Sequence, residues 1–148
     1  DVVYYDKYNE STELNLKFTH NKSLSFTINT SSLDEVLTKS DFITLHVPAQ
    51  KEYIIGKNEF DKMKDGVGII NAARGGVIDE TELINYIENN KVSFAGLDTF
   101  ENEPTPSVKL LMHPKISLSP HIGAATSEAQ DRIGIELADQ IINYFNND

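Results

Sequence analysis

The chain has 148 residues, 39% of them hydrophobic and 24% charged, with a formal net charge of −10, which bounds it to one domain with a buried core. The acidic balance and the absence of any stretch dense in Lys or Arg argue against direct binding to DNA, RNA or an anionic membrane surface. There is no cysteine, which removes disulfides, thiolate chemistry and Cys-zinc sites; the apolar runs are strand-length, and the N-terminus lacks the cationic region of a signal peptide, so a cytoplasmic location is expected.

In chain order, Val2 to Tyr5 is a short β-favouring run that ends at Asp6 and reads as a first strand already under way. With no initiator Met, this start predicts a piece of a longer protein. Residues 7–31 are polar, rich in Asn, Ser, Thr and Lys, with one candidate strand near Leu24 to Ile28. Ser32 and Glu35 form a capping box, and Leu33, Val36 and Leu37 give the short helix behind it an apolar side. Phe42 to Val47 is a buried-type strand stopped by Pro48. A short helix over Lys57 to Met63 turns Phe60 and Met63 inward, and Gly66 leads into the strand Val67 to Asn71.

The alternation continues. Asp79 and Glu82 are a second cap pair, and Leu83, Ile84, Tyr86 and Ile87 pattern a helix to about Asn89. Val92 to Leu97 is the next strand, Leu110 to Met112 a helical turn, and Ile116 to Leu118 a last short strand. A long amphipathic helix runs from Thr126 to Phe145, with Ile133, Leu137, Ile141 and Phe145 at four-residue steps. Strands alternating with helices predict an α/β fold, a doubly wound parallel sheet with helices on both faces.

In such sheets a ligand lies beyond the carboxyl ends of the strands. Asp6 follows the first strand, His46-Val47-Pro48 the second, and Asn71 through Gly76 the third. Asp98 follows the fourth, with Glu103-Pro104 shortly after, and Pro120-His121-Ile122-Gly123 the last. Singly, each has a plainer explanation. Asp6 could be a turn residue, Arg74 a surface cation, His121 a histidine bonded to backbone and Glu103 a solvated turn residue. His20, His46 and His113 stay in that plain class. The set carries more. Reduction of a 2-oxo acid needs a planar bidentate cation for the carboxylate, which Arg supplies. It needs a proton donor for the carbonyl oxygen, which His suits, and a carboxylate to orient that imidazole. Arg74, Glu103 and His121 fit those three roles.

Asn71-Ala72-Ala73-Arg74-Gly75-Gly76-Val77-Ile78-Asp79-Glu80, then Gly96 through Pro104, then Ser119-Pro120-His121-Ile122-Gly123-Ala124 resemble the three signatures of the D-isomer-specific 2-hydroxyacid dehydrogenases, in the family's order and at similar spacing. The resemblance runs from the strand before Asp6 to the final helix. It implies a Rossmann-like NAD-binding domain and hydride transfer between NAD(H) and a small D-2-hydroxy or 2-oxo acid. The run His-Ile-Gly-Ala-Ala-Thr is most similar to the branch that handles 3-phosphoglycerate in serine synthesis. By the same resemblance Arg74 binds the substrate carboxylate, Glu103 pairs with His121, and His121 is the general acid/base. Asp6 accepts from the adenosine ribose hydroxyls and so favours NAD over NADP. Val47 and Pro48 line the adenine side. Ala72, Ala73 and Asp98 lie near the nicotinamide, and His121 through Gly123 and Ala124 close over it. No metal is implied.

The sequence departs from the family upstream of Val2, where the Gly-rich phosphate loop is absent. Residues 1–125 are therefore expected to be a partial, N-terminally incomplete NAD-binding domain, and 126–148 a helix linking toward an absent substrate domain. Such a piece alone is expected to bind NAD weakly and not to turn over substrate. The family also implies a homodimer, to which the apolar positions of the last helix and of 108–112 could contribute; the other reading packs them inside the fragment. Two alternatives stay open. One is a reductase for hydroxypyruvate, glyoxylate or lactate. The other is a non-catalytic NAD-sensing interaction module.

Overall fold

Alternation settles the N-terminal segment. The computed structural model describes residues 1–20 and 22–146. In it β1 (Ser11–Lys17) and β2 (Ser23–Asn29) form an antiparallel hairpin in which Leu14 faces Phe26 and Leu16 faces Leu24. Every second residue is apolar on one side and polar on the other, the period that a two-stranded ribbon requires. The polar stretch that sequence left unassigned is thus half of a hairpin, and the strand expected near Leu24 to Ile28 is its second arm. Val2 to Tyr5, by contrast, is not a strand. It finds no ladder partner among the described residues and is tied to the hairpin instead, by Tyr4 Oη–H donating to Ile28 O at 2.9 Å and Ser31 N–H to Tyr4 O at 2.8 Å.

Beyond the hairpin, α1 (Leu33–Lys39) begins at Ser32, whose hydroxyl accepts from Glu35 N–H at 3.1 Å as the capping box demands. Then β3 (Phe42–Leu45), α2 (Lys57–Lys62), β4 (Val67–Asn71), α3 (Glu80–Glu88), β5 (Val92–Leu97), α4 (Val108–Leu111) and β6 (Ile116–Leu118) alternate, and α5 (Ser127–Asn146) closes the chain. The four later strands pair in parallel in the order β3-β4-β5-β6. Each crossover moves one place in the same direction. Right-handed connections that all advance one way put their helices on one face.

That geometry divides the sheet. Ile43, Leu45, Val67, Ile69, Ala95 and Leu97 point into a core with Leu37, Phe60, Leu83, Ile87 and Leu110, all at or below 8% exposure. Burying each large side chain stabilises the fold by about 1.5–3 kcal/mol before entropy is counted. Phe60 stacks on Tyr86 with ring centroids 4.8 Å apart, fastening α2 to α3. The opposite face carries Phe42, Ile70 and Phe94, exposed at 70%, 44% and 39%. The α/β parallel sheet expected from the sequence is present in its N-terminally incomplete form, and no connection among the described residues winds in the reverse direction to cover this face. On this face Gly68 lies beneath the two phenylalanine rings, and a Cβ there would sit 2.6 Å from Phe94. α5 keeps the amphipathic pattern but buries no residue.

Candidate active site at the carboxyl edge of the sheet

The strands finish at one level. Asp98 N–H donates to Asn71 O at 2.9 Å and Ser119 N–H to Leu97 O at 3.0 Å, so the segments leaving β4, β5 and β6 set out side by side. After β4, the buried Asn71 folds the next turn around itself. Its Oδ1 accepts from Ala73 N–H at 3.1 Å and its Nδ2 donates to Arg74 O at 2.9 Å. Arg74 is thereby held at the edge, with Nη1 donating to Ala73 O at 2.6 Å. Among the described residues no ion pair engages its guanidinium. The following turn needs glycine twice: Gly76 has φ 73°, and a Cβ on Gly75 would lie 1.8 Å from Phe100 O. The Arg74 turn is pressed backbone to backbone against the segment leaving β5.

That segment brings in Glu103, 29 residues along from Arg74 in the sequence and joined to Pro104 by a cis peptide. Its Oε1 accepts from Phe100 N–H at 2.9 Å and its Oε2 lies 2.8 Å from His121 Nδ1. The hydrogen bond from His121, followed by that from Phe100, holds the Glu103 carboxyl below its ordinary pKa. A carboxylate at Nδ1 fixes the ring and leaves Nε2 for a reacting group. His121 itself has φ 56°, a left-handed conformation that a non-glycine residue adopts at some cost. Asp98 secures the turn that follows. Its Oδ1 accepts from Ser119 Oγ–H at 2.6 Å and Ile122 N–H at 2.9 Å, and its Oδ2 accepts from Gly123 N–H at 2.7 Å. Burial pushes the Asp98 pKa up, but those three bonds and the nearby His121 outweigh it and hold the carboxyl below its usual range. Gly123 and Ala124 form the centre of a turn closed by Ala125 N–H donating to Ile122 O at 2.9 Å.

Arg74, Glu103 and His121 line one cavity of about 770 Å³, together with Tyr53, Glu101 and Lys51. A second of about 210 Å³, where β4, β5 and β6 end, is lined by Asn71, Ala72, Gly96, Asp98, Ser117 and Ser119. The expected catalytic trio therefore shares one space, and Ala72 and Asp98 share the adjoining one. The others are placed elsewhere. Asp6 is exposed, accepts from the Tyr8 and Asn9 amides at 2.7 and 3.0 Å, and lines neither cavity. Val47 is half-buried against the core, Pro48 is exposed and Ala73 is buried. Sequence reading passed over Gln50 to Tyr53, Asn102 and the Glu80–Glu101 contact described below; the first group was findable, because it directly follows a strand.

Among the described residues no group of three potential ligands could hold a metal, and no helix is long and apolar enough to cross a membrane. Residues 1–123 match the family described as D-isomer specific 2-hydroxyacid dehydrogenase, NAD binding domain. The chain is 49% identical over 113 residues to a D-3-phosphoglycerate dehydrogenase of Archaeoglobus fulgidus, covering 74% of this chain and 21% of the relative. It is 42% identical over 145 residues to a hydroxypyruvate reductase of Thermotoga maritima, covering 95% and 44%. The crystal structure of a glyoxylate reductase from Paecilomyes thermophila superimposes with a TM-score of 0.67 at 43% identity, covering 72% of this chain and 33% of that one. The chain thus spans less than half the length of each.

Proposed function

This chain belongs to the D-isomer specific 2-hydroxyacid dehydrogenases as an NAD-binding domain, and on that footing we propose that it serves an enzyme moving a hydride between NAD(H) and a small 2-oxo or D-2-hydroxy acid. The observation that carries the proposal is the His121 Nδ1–Glu103 Oε2 contact of 2.8 Å beside Arg74 in a common cavity. Arg74 grips the substrate carboxylate with its bidentate fork. His121, oriented by Glu103, gives the proton on Nε2 to the substrate's carbonyl oxygen during reduction and takes it back during oxidation. Bound NADH would supply the hydride for the carbonyl carbon. The small residues at the ends of β4 to β6 fit a flat ring: a Cβ on Gly96 would meet nothing closer than Ile70 Cγ1 at 3.8 Å. Ala72, Ala73 and Asp98 take the nicotinamide side, His121 through Ala124 cover it, Val47 and Pro48 take the adenine side, and Asp6 the ribose. Residues 1–125 act as the cofactor half, and 126–148 link toward a substrate-binding domain. That the final helix, which lies in this last segment, buries no side chain of its own supports the division.

For the substrate, 3-phosphoglycerate and its 2-oxo partner are the reading adopted, with serine biosynthesis as the setting. The name of the Archaeoglobus relative supports it, as does Lys51, a second cation lining the cavity with Arg74. An acid with two anionic groups, a carboxylate and a phosphate, uses two cations where a plain monocarboxylate uses one. The Thermotoga relative, matched over 95% of this chain, keeps hydroxypyruvate as a second reading. A homodimer in the cytoplasm completes the proposal. The test is a panel of 3-phosphohydroxypyruvate, hydroxypyruvate, glyoxylate and pyruvate on the full-length protein, following NADH absorbance. Preference for the phosphorylated acid is the expected result. Equal or better rates with an unphosphorylated acid keep the mechanism and overturn the substrate. No turnover with any of them overturns the enzyme in favour of an NAD-sensing interaction module.

A further inference from the structure

Outside the trio, two glutamates bind each other's backbone. Glu80 N–H donates to Glu101 Oε1 at 2.9 Å, and Glu101 N–H donates to Glu80 Oε1 at 2.8 Å. The two residues stand 21 apart in sequence, at the first turn of α3 and in the segment leaving β5. Asp79 already accepts from Thr81 and Glu82 N–H at 3.0 Å each, so Glu101 takes the remaining first-turn amide, that of Glu80. Glu80 is itself buried, at 9% exposure. A buried carboxyl needs a partner, and Glu101 N–H is the one it has.

The position of this double bond matters. Six residues before Glu80 stands Arg74, and two after Glu101 stands Glu103. The Gly75 backbone already lies against Phe100 O, and Phe100 N–H holds Glu103 Oε1. Glu103 Oε2 in turn holds His121. A chain of contacts thus runs from the Arg74 turn through Phe100 and Glu103 to the imidazole, and the Glu80–Glu101 pair ties the same two segments together just beyond it. We infer that the reciprocal Glu80–Glu101 pair is a positioning device that sets the separation between the substrate-binding Arg74 turn and the Glu103–His121 pair.

Neither glutamate touches the reacting atoms; both act through Arg74, Glu103 and His121. The inference rests on the proposed dehydrogenase reading for its consequence in catalysis, though not for its geometry. What each side chain contributes to the pair is an acceptor oxygen. Burial raises the Glu80 pKa, against the opposing pull of the Glu101 N–H bond, so its charged form is disfavoured. An amide oxygen can therefore replace it.

The experiment uses the full-length protein with Glu80→Ala, Glu101→Ala, the double variant and Glu80→Gln. Steady-state kinetics with the best 2-oxo acid of the panel is one readout, and the ¹⁵N chemical shifts of the His121 ring, which report its tautomer and hydrogen bond, are the other. Each alanine variant is expected to lower kcat/KM by roughly tenfold to a hundredfold, the scale of a small misplacement, with NADH affinity changed less than about twofold. The double variant loses little more than either single one, as expected for residues acting as a unit. Glu80→Gln keeps kcat/KM and leaves the His121 shifts unmoved, whereas the alanine variants move them. The inference is overturned if both single alanine variants keep kcat/KM and the His121 shifts of the parent, or if Glu80→Gln is as damaging as Glu80→Ala. Should Glu80→Ala fail to fold, Glu101→Ala, at a less buried site, decides alone. If the parent turns over no 2-oxo acid, the dehydrogenase reading fails, and the ring shifts still decide the positioning role.

Discussion

The middle of the molecule and its two flanks are made on different terms. Between Leu37 and Leu110 the alternation of the strands is matched by the helices, and every core residue lies in that stretch. The β1–β2 hairpin and α5 have equally regular backbones and patterned sequences, yet neither contains a buried side chain. Regular secondary structure therefore marks where hydrogen bonds and periodicity agree, while burial marks where an element has something to pack on. The trio Arg74, Glu103 and His121 belongs to the packed middle and the short segment after β6. Its precision comes from buried or half-buried acceptors such as Asn71, Glu80 and Asp98 that order the loops between rigid strands.

The contrast can be broken or sharpened by substitution. The largest effect belongs to the site itself. His121→Ala in the full-length protein is expected, on the proposed function, to lower kcat by about 10²–10⁴ with NADH affinity nearly unchanged, as loss of a general acid requires; stopped-flow binding beside steady-state rates measures both, and retained turnover removes His121 from its proposed role. Next comes the core. Phe60→Ala, at a residue with 0% exposure, is expected to cost about 3–5 kcal/mol in denaturant unfolding, and a cost below 1 kcal/mol, on the ~0.5 kcal/mol scale of surface sites, would mean that the middle is not packed as described.

Asp98→Asn ranks third. It sets an NH₂ group against donors now served by carboxylate oxygens, at about 1–3 kcal/mol. Because the Asp98 carboxyl sits below its ordinary pKa of 3.8, its contribution to stability is present above that value and is lost as pH falls through the lower folded one. The gap in thermal stability between parent and variant should therefore close in acid; a gap independent of pH would detach the effect from ionisation.

Glu80→Gln has the opposite sign. The folded Glu80 pKa lies above 4.5, so folding favours its protonated form, an advantage fully present below 4.5 and lost as pH rises through the folded value. The Gln variant, which cannot ionise, is expected to melt higher than the parent at neutral pH, by an amount worth less than ~1 kcal/mol, and to match it in acid. A variant that melts lower at neutral pH would contradict the burial of that charge. The smallest effect is set for the flank: Leu137→Ala, 55% exposed on α5, is expected to change the unfolding free energy of the 148-residue chain by no more than ~0.5 kcal/mol. A larger loss would show that α5 packs like the middle.

Legibility in the sequence followed the same division. Strand bounds Val67–Asn71, Val92–Leu97 and Ile116–Leu118 agree residue for residue with the runs read from apolar content, because short apolar runs bounded by turn residues mark strands of a parallel sheet. The caps Ser32 and Asp79 were legible because their chemistry is local. β1 was missed because only Leu14 and Leu16 interrupt its polar residues. Val2 to Tyr5 misled in the other direction, since β-favouring composition makes a strand only where a partner offers its ladder. At the site, Arg74, Glu103 and His121, which share one cavity, could be singled out because the roles proposed for them require particular side chains. The Glu80–Glu101 pair could not, for its bonds run from side chain to distant backbone, and no spacing rule encodes which loop will come to rest beside a helix end.

The capping of α3 has an electrostatic consequence. An α-helix concentrates about half a positive charge at its first turn, and here Glu101, which accepts from one amide of that turn, also lines the Arg74 cavity. Asp79 and Glu101 meet its amides, so part of the negative charge of these two acids is set off locally by the helix end. In a chain of net charge −10 this cavity still carries two cations, Arg74 and Lys51, beside its glutamates, and among the described residues no ion pair engages the Arg74 guanidinium.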